Sequence, residues 1–273
     1  MKRKPSVAGS FYPGTKAALL EMIGSMTERD AAKRKALAVV VPHAGYIYSG
    51  PVAGAVFSSV EVPGTAVILG PAHREIGSLL AVQREGSWQT PLGESPVENG
   101  LADLVLERSS LASDDARSHF GEHSLEVELP FLQYFQPRVA IVPVAVSYEA
   151  SYDELEEFGR GVAEAVRAFG REVLIVASTD MSHYVSQKTA EAQDSLAIRK
   201  VLELDARGLF ATVRDKHITM CGFQPTAAAI VAAVGLGAAR AELVRYATSG
   251  DRTGDYSQVV GYAGIRIMAG EPP

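Results

Sequence analysis

"ALAVVVPHAGYIYSGPVAG", residues 36–54, passes from an unbroken apolar run into a histidine and a glycine-rich turn. The run ALAVVVP (36–42) shows no polar alternation, as expected of a strand buried on both faces of a sheet. GPVAGAVFSSV (50–60) then reads as a helix, with Pro51 suited to its first turn, where a missing N–H costs nothing. A buried strand, a tight turn and a helix make up the repeating unit of an α/β sheet. His43 sits on the turn.

The same unit recurs along the chain. TAVILGP (65–71), VAIVPVAVS (139–147) and EVLIVASTD (172–180) are further apolar strands. VENGLADLVLERS (97–109), GEHSLEVELPFLQYF (121–135), YDELEEFGRGVAEAVRAF (152–169), KTAEAQDSLAIRKVLELD (188–205) and GFQPTAAAIVAAV (222–234) read as helices. SLLAVQREGSWQTPLGESP (78–96) is dense in turn residues and reads as a hairpin excursion. AELVRYATS (241–249) and SQVVGYAGIRIM (257–268) follow one another as closing strands. No repeat and no Pro/Gly/Ser-rich linker divides the chain. The expected fold is a single α/β domain over residues 1–273, a three-layer sandwich whose central sheet is mixed and largely parallel.

Composition narrows the function. The 273 residues are 47% hydrophobic and 21% charged, with a net charge of −6. No Lys/Arg-rich block occurs, so nucleic acid is not an expected partner. The longest apolar run, AAAIVAAVGLGAA (227–239), is too short to span a bilayer, and MKRKPSVAGSFYPG at the N-terminus lacks the apolar centre of a secretory signal. The one cysteine, Cys221, fits a reducing, cytoplasmic setting. Neither a GxxxxGKS/GxxxxGKT phosphate loop nor a GxSxG elbow is present, which disfavours nucleotide binding of that type and serine hydrolysis.

In open α/β sheets ligands bind at the carboxyl ends of strands. His43 follows the first strand, His73 (ILGPAHRE) the second, and Asp180 and His183 (VASTDMSHY) another. If these strands are parallel neighbours, three histidines share one crevice. Cys221, in HITMCGFQP, precedes an apolar helix whose N-terminus favours a thiolate; the alternative is a small buried hydrophobe. Two histidines and one anionic ligand can hold a metal and leave positions open, and a thiolate admits copper and zinc beside iron. In SHFGEHSLEVELPFL (118–132), a helix would set His123 and Glu126 on one face, the carboxylate fixing the tautomer of a base or substrate-orienting donor. The same residues also read as a charged turn beside an apolar face. His217, among charges, reads as solvated. Asp251, Asp255 and Tyr256 fit a cleft rim or a turn between edge strands.

RKPSVAGSFYP, PHAGYIYSG, LGPAH, EHSLEVELPFL, STDMSHY, CGFQP and SGDRTGDYSQVVGYA occur in the order found in the MEMO family, which the chain resembles from about residue 3 to residue 268. The resemblance implies a fold similar to the class III extradiol dioxygenases, which use non-haem Fe(II). It implies His43, His73 and Cys221 as metal ligands, Asp180 and His183 as an acid/base pair, and His123 as a further pocket histidine. Eukaryotic members are linked to phosphotyrosine peptides and to copper or iron redox chemistry. Cys221 stands where the dioxygenases would carry a carboxylate ligand, which speaks against ring cleavage.

Three functions are compatible with these residues. The first is a metal-dependent redox enzyme on iron or copper, with an unknown small substrate. The second is a non-catalytic module binding a peptide or small anion in the same cleft, with Tyr46, Tyr48 and Trp88 as aromatic walls or as core. The third is a metal-assisted hydrolase, for which zinc would be the metal.

Overall fold

The structure, a computed structural model, describes residues 1–28, 31–74 and 77–270. In chain order the elements are β1 (Lys2–Arg3), α1 (Lys16–Met26), β2 (Ala38–Val41), α2 (Tyr46–Ser58), β3 (Thr65–Pro71), β4 (Leu80–Val82), β5 (Ser87–Thr90) and β6 (Gly93–Pro96). Next come α3 (Asn99–Arg108), β7 (Ala112–Asp114), a 3-10 turn at Ala116–His119, α4 (Leu129–Phe135), β8 (Ala140–Val146), α5 (Tyr152–Phe169), β9 (Leu174–Ser178) and β10 (His183–Val185). The chain closes through α6 (Gln187–Leu202), α7 (Ala206–Asp215), α8 (Phe223–Gly235), β11 (Ala238–Thr248), α9 (Gly250–Thr253) and β12 (Val259–Ala269).

The large sheet runs β10-β12-β2-β9-β3-β8-β4-β7, and β11 also pairs with β12. Its centre, β2-β9-β3-β8, is parallel. β12 lies antiparallel to β2, and β4 antiparallel to β8. This is the mixed, largely parallel sheet that the apolar runs predict. Alternate side chains of each central strand enter opposite layers. Val40, Val67, Leu69, Ile175 and Ala177 pack with α3, α5, α6, α7 and α8. Val39, Val41, Ala66, Ile68, Leu174 and Val176 pack with α1, α2 and α4. Both faces are therefore buried, which is why these strands read as continuous apolar runs. Among the described residues no helix is long and apolar enough to cross a membrane.

Three local expectations change. α2 begins at Tyr46, so Pro51 lies inside the helix and does not start it. The N–H it lacks would have bonded the carbonyl of Ile47, a solvent-exposed residue, so the loss is tolerated. Within 121–135 only Leu129–Phe135 is helical. Pro130 fits a helix only in its first turn, and Gly121 at φ +75° opens an irregular approach. His123 and Glu126 therefore share no helical face. Finally, the excursion at 78–96 divides: β5 and β6 form an antiparallel pair, while β4 joins the large sheet. α1 and α7 lie outside the predicted elements; α1 buries only Leu19 and Ile23, too narrow a stripe to stand out.

Candidate metal centre

β2, β9 and β3 are neighbours, and each carries a polar residue two positions beyond its last strand residue: His43, Asp180 and His73. The parallel register aligns Val41 with Ser178 and Leu69 with Ala177, so the three residues emerge side by side. His123 arrives from the irregular segment before α4. The ligand atoms of His43, His73 and His123 all lie within 4.8 Å of one another. Ring centroids are 5.2 Å apart for His43 and His73, 5.5 Å for His43 and His123, and 4.6 Å for His73 and His123. The Cys221 Sγ atom is 3.4 Å from His43 Nε2. The mutually close group is thus His43, His73 and His123, with the Cys221 thiol beside His43.

Hydrogen bonds set the free nitrogens. His43 Nδ1 lies 2.8 Å from the Ser178 hydroxyl, which itself donates to the Ser124 carbonyl at 2.7 Å. Ser178 is thus an acceptor for an Nδ1–H, and the Nε2 lone pair of His43 faces Cys221. His73 Nδ1 lies 3.0 Å from Glu122 Oε1, and its backbone N–H donates to Oε2 of the same carboxylate. Glu122 also accepts the N–H groups of His123 and Ser124 at 2.8 Å. This is the arrangement that orients metal-binding imidazoles: one ring nitrogen anchored, the other free. Clustered nitrogens with anchored partners, a thiol beside them and open access at His73 and His123 fit a transition-metal ion.

The electrostatics agree. Burial, then the charges of His123 and His73, hold His43 well below the ordinary histidine range. Burial lowers His123 as well. Both rings are therefore neutral near pH 7. Burial alone would raise Glu122, but the His73 hydrogen bond and charge and the backbone N–H groups outweigh it, and the carboxylate stays ionised. Asp180 is pushed up to about 6 by burial, against the charge of His183 and the N–H groups of His43 and Ala44 that it accepts. Cys221 lies just before Gly222, the N-cap of α8. Burial and the Asp180 charge nevertheless push its thiol up, outweighing the helix end, so coordination there would have to displace the proton.

His183 has an assigned tautomer. Its Nδ1 lies 2.8 Å from the Thr219 carbonyl, which can only accept, so Nδ1 carries a proton and Nε2 is the ring nitrogen that this bond leaves free. Its backbone N–H donates to the Thr219 hydroxyl. Glu126, in contrast, belongs to a buried ion pair with Arg3 at 2.7 Å and acts on His123 only through its charge. The carboxylate beside His123 is Glu122, 3.5 Å away. Trp88 and Tyr46 are core residues; only Tyr48 is exposed. His217 is exposed, as expected. Asp251 accepts the Thr248 N–H and Asp255 the Ser257 N–H, so both work as turn residues.

Ser178, Thr219 and Arg3 escape sequence reasoning altogether. Each acts through hydrogen bonds to segments distant in the chain, and a lone Ser, Thr or Arg carries no spacing signal. A separate cavity of about 390 Å³ opens at the opposite, amino-terminal end of the strands, lined by Lys35, Leu37, Val62, Arg171, Val173 and Leu236. Its lining includes no histidine or cysteine, and the histidine cluster lies at the other end of the strands.

Residues 3–266 match the family model described as "Memo-like protein". A MEMO1 family protein of Methanothermobacter thermautotrophicus is 40% identical over 275 residues, covering 96% of this chain and 99% of that one. Another, from Methanopyrus kandleri, is 39% identical over 284 residues, covering 99% of this chain and all of its own length. Among solved structures, an uncharacterized protein from Escherichia coli is similar in fold, with a TM-score of 0.53 at 14% identity over 84% of this chain and 98% of that chain.

Proposed function

The chain belongs to the MEMO family, and on that premise we propose that it is a metal-binding redox protein, using iron or copper and acting on a small substrate. The observation that carries this reading is the three-imidazole cluster, with the Nδ1 atoms of His43 and His73 anchored by Ser178 and Glu122. His43 and His73 belong to both ligand sets considered for this pocket. The Cys221 thiol and the His123 ring are the two candidates for the third place. When bound, the metal supplies a Lewis-acidic, redox-active centre with positions open for substrate.

The protein side of the chemistry is proton handling. His183 Nε2 takes the proton of a substrate hydroxyl while Nδ1–H stays on the Thr219 carbonyl. Asp180, held by the N–H groups of His43 and Ala44, stabilises the imidazolium that results. Where Cys221 takes the third ligand place, His123, beside the edge of Phe11 on the open side of the pocket, orients the substrate.

The test is metal analysis of untagged protein purified without oxygen, beside His43→Ala, His73→Ala, His123→Ala and Cys221→Ser. Iron or copper near one equivalent, lost in His43→Ala and His73→Ala, is expected. With cobalt(II) as probe, a thiolate charge-transfer band that disappears in Cys221→Ser puts sulfur in the ligand set; loss of affinity in His123→Ala alone assigns the third place to the imidazole. Unchanged metal content in His43→Ala sinks the proposal. Zinc with His183-dependent hydrolysis would replace it by the hydrolase, and saturable anion or peptide binding without metal by the binding module.

A further inference from the structure

We infer that Arg3 is a positioning residue for the histidine cluster, and that residues 3–12 form a strap that holds the 119–128 segment in its ligand-presenting shape. The inference rests on the proposed metal-binding role. The segment has little regular structure of its own beyond the 3-10 turn that ends at His119. Beyond its own turn bonds it is held by Ser178 on the Ser124 carbonyl, by Tyr46 on the Val127 carbonyl and, at three further points, by the strap. Arg3 is 2% exposed. Its Nε donates to the His119 carbonyl at 2.8 Å, one terminal nitrogen to the Glu122 carbonyl and the other to Glu126 Oε2 at 2.7 Å. The guanidinium lies 4.0 Å from the centre of the Trp88 ring.

Glu126 is gripped in turn by the rest of the strap. It accepts the backbone N–H groups of Ser6 and Val7 and the Tyr12 hydroxyl at 2.7 Å. The Arg3 fork thus fixes three points of the segment on both sides of His123. One of them is the residue whose carboxylate anchors His73 and the His123 N–H. The strap reaches the other side of the site as well. The Phe11 carbonyl accepts the Tyr46 N–H at the start of α2, and the Phe11 ring meets His123 edge-on at 4.9 Å. A planar fork can serve two carbonyls and a carboxylate at once, whereas an ammonium keeps the charge and loses the geometry.

The experiment compares the full-length protein with Arg3→Lys and Phe11→Leu, and with Leu19→Ala as a destabilised control in the α1 layer. The probe is cobalt(II), titrated against a competing chelator, with its visible spectrum recorded. Amide exchange of His123, Ser124 and Val127 is followed without metal. Arg3→Lys is expected to speed exchange at those amides at least tenfold, to leave the β2, β3 and β9 amides unchanged, to alter the cobalt spectrum and to weaken cobalt binding about 10- to 100-fold. Phe11→Leu, which spares the buried ion pair, is expected to shift the spectrum and weaken binding less. Leu19→Ala should lower Tm and change neither spectrum nor affinity. Folded Arg3→Lys with unchanged exchange and affinity overturns the inference; if Arg3→Lys does not fold, an unchanged spectrum in Phe11→Leu does. If even the parent protein binds no cobalt, the metal reading fails, and the exchange data alone decide the strap.

Discussion

The strand ends and the 119–128 segment bring histidines to the same place by opposite means. His43 and His73 extend two residues from parallel strands whose backbone bonds are made within the sheet. His123 sits on irregular backbone held by side chains more than a hundred residues away. Strand ends are stiff because the sheet is buried on both faces. The segment is only as stiff as the buried polar network that ties it down, and such networks fail when one member is removed. The centre is therefore a fixed half facing a tethered half.

The largest way to break this contrast is Glu126→Ala. It leaves the buried Arg3 guanidinium with its carbonyl acceptors but without a counter-charge and should cost about 3–5 kcal/mol in urea unfolding. Metal affinity at the tethered half should fall with it. A loss below about 1 kcal/mol would show that the segment holds its own shape.

pH probes the same half. Burial, then the Arg3 charge, lowers His119 to about 4. Its Nε2–H donates to the Ala81 carbonyl at 3.1 Å. The unfolded chain takes up this proton near pH 6.5, before the folded protein does. The contribution is therefore intact above pH 6.5 and is lost as the pH falls towards 4, on the order of 3 kcal/mol in all. Urea melts at pH 7, 5.5 and 4.5 should show the fall in the parent protein and a flatter profile in His119→Gln. Equal slopes would assign the acid sensitivity to other groups.

The smallest effect belongs to the fixed half. Ser178→Ala removes the acceptor of His43 Nδ1, the donor to the Ser124 carbonyl and a partner of the Glu128 carboxyl, whose pKa burial pushes up, and should cost about 1–3 kcal/mol. The Ser124 carbonyl loses its donor, but the N–H groups of His123 and Ser124 are bonded to Glu122, so those amides should exchange as before. Faster exchange there would join the two halves into one network and end the distinction.

The fold was legible where burial is two-sided. Four apolar runs became β2, β3, β8 and β9, and the residues just past three of them became the site. The 119–128 segment was legible only as a cluster of His and Glu. Its apolar spacing mimics a helix, but Pro130 confines the helix to Leu129–Phe135, and the carboxylates therefore exchange roles: Glu122 serves the histidines and Glu126 serves Arg3. Pro51 misled in the same way, since a helix can absorb a proline where the freed carbonyl belongs to an exposed residue.

The sequence by itself determined the layers, the parallel centre and the end of the sheet where the histidines gather, because hydrophobic periodicity and strand-end position are local quantities. Only the tertiary structure decided which acid serves which base, which ring nitrogen is free, and that an arginine at position 3 reaches the histidines. Those are consequences of hydrogen bonds formed in a buried interior between segments far apart in the chain, and no spacing along the chain encodes them.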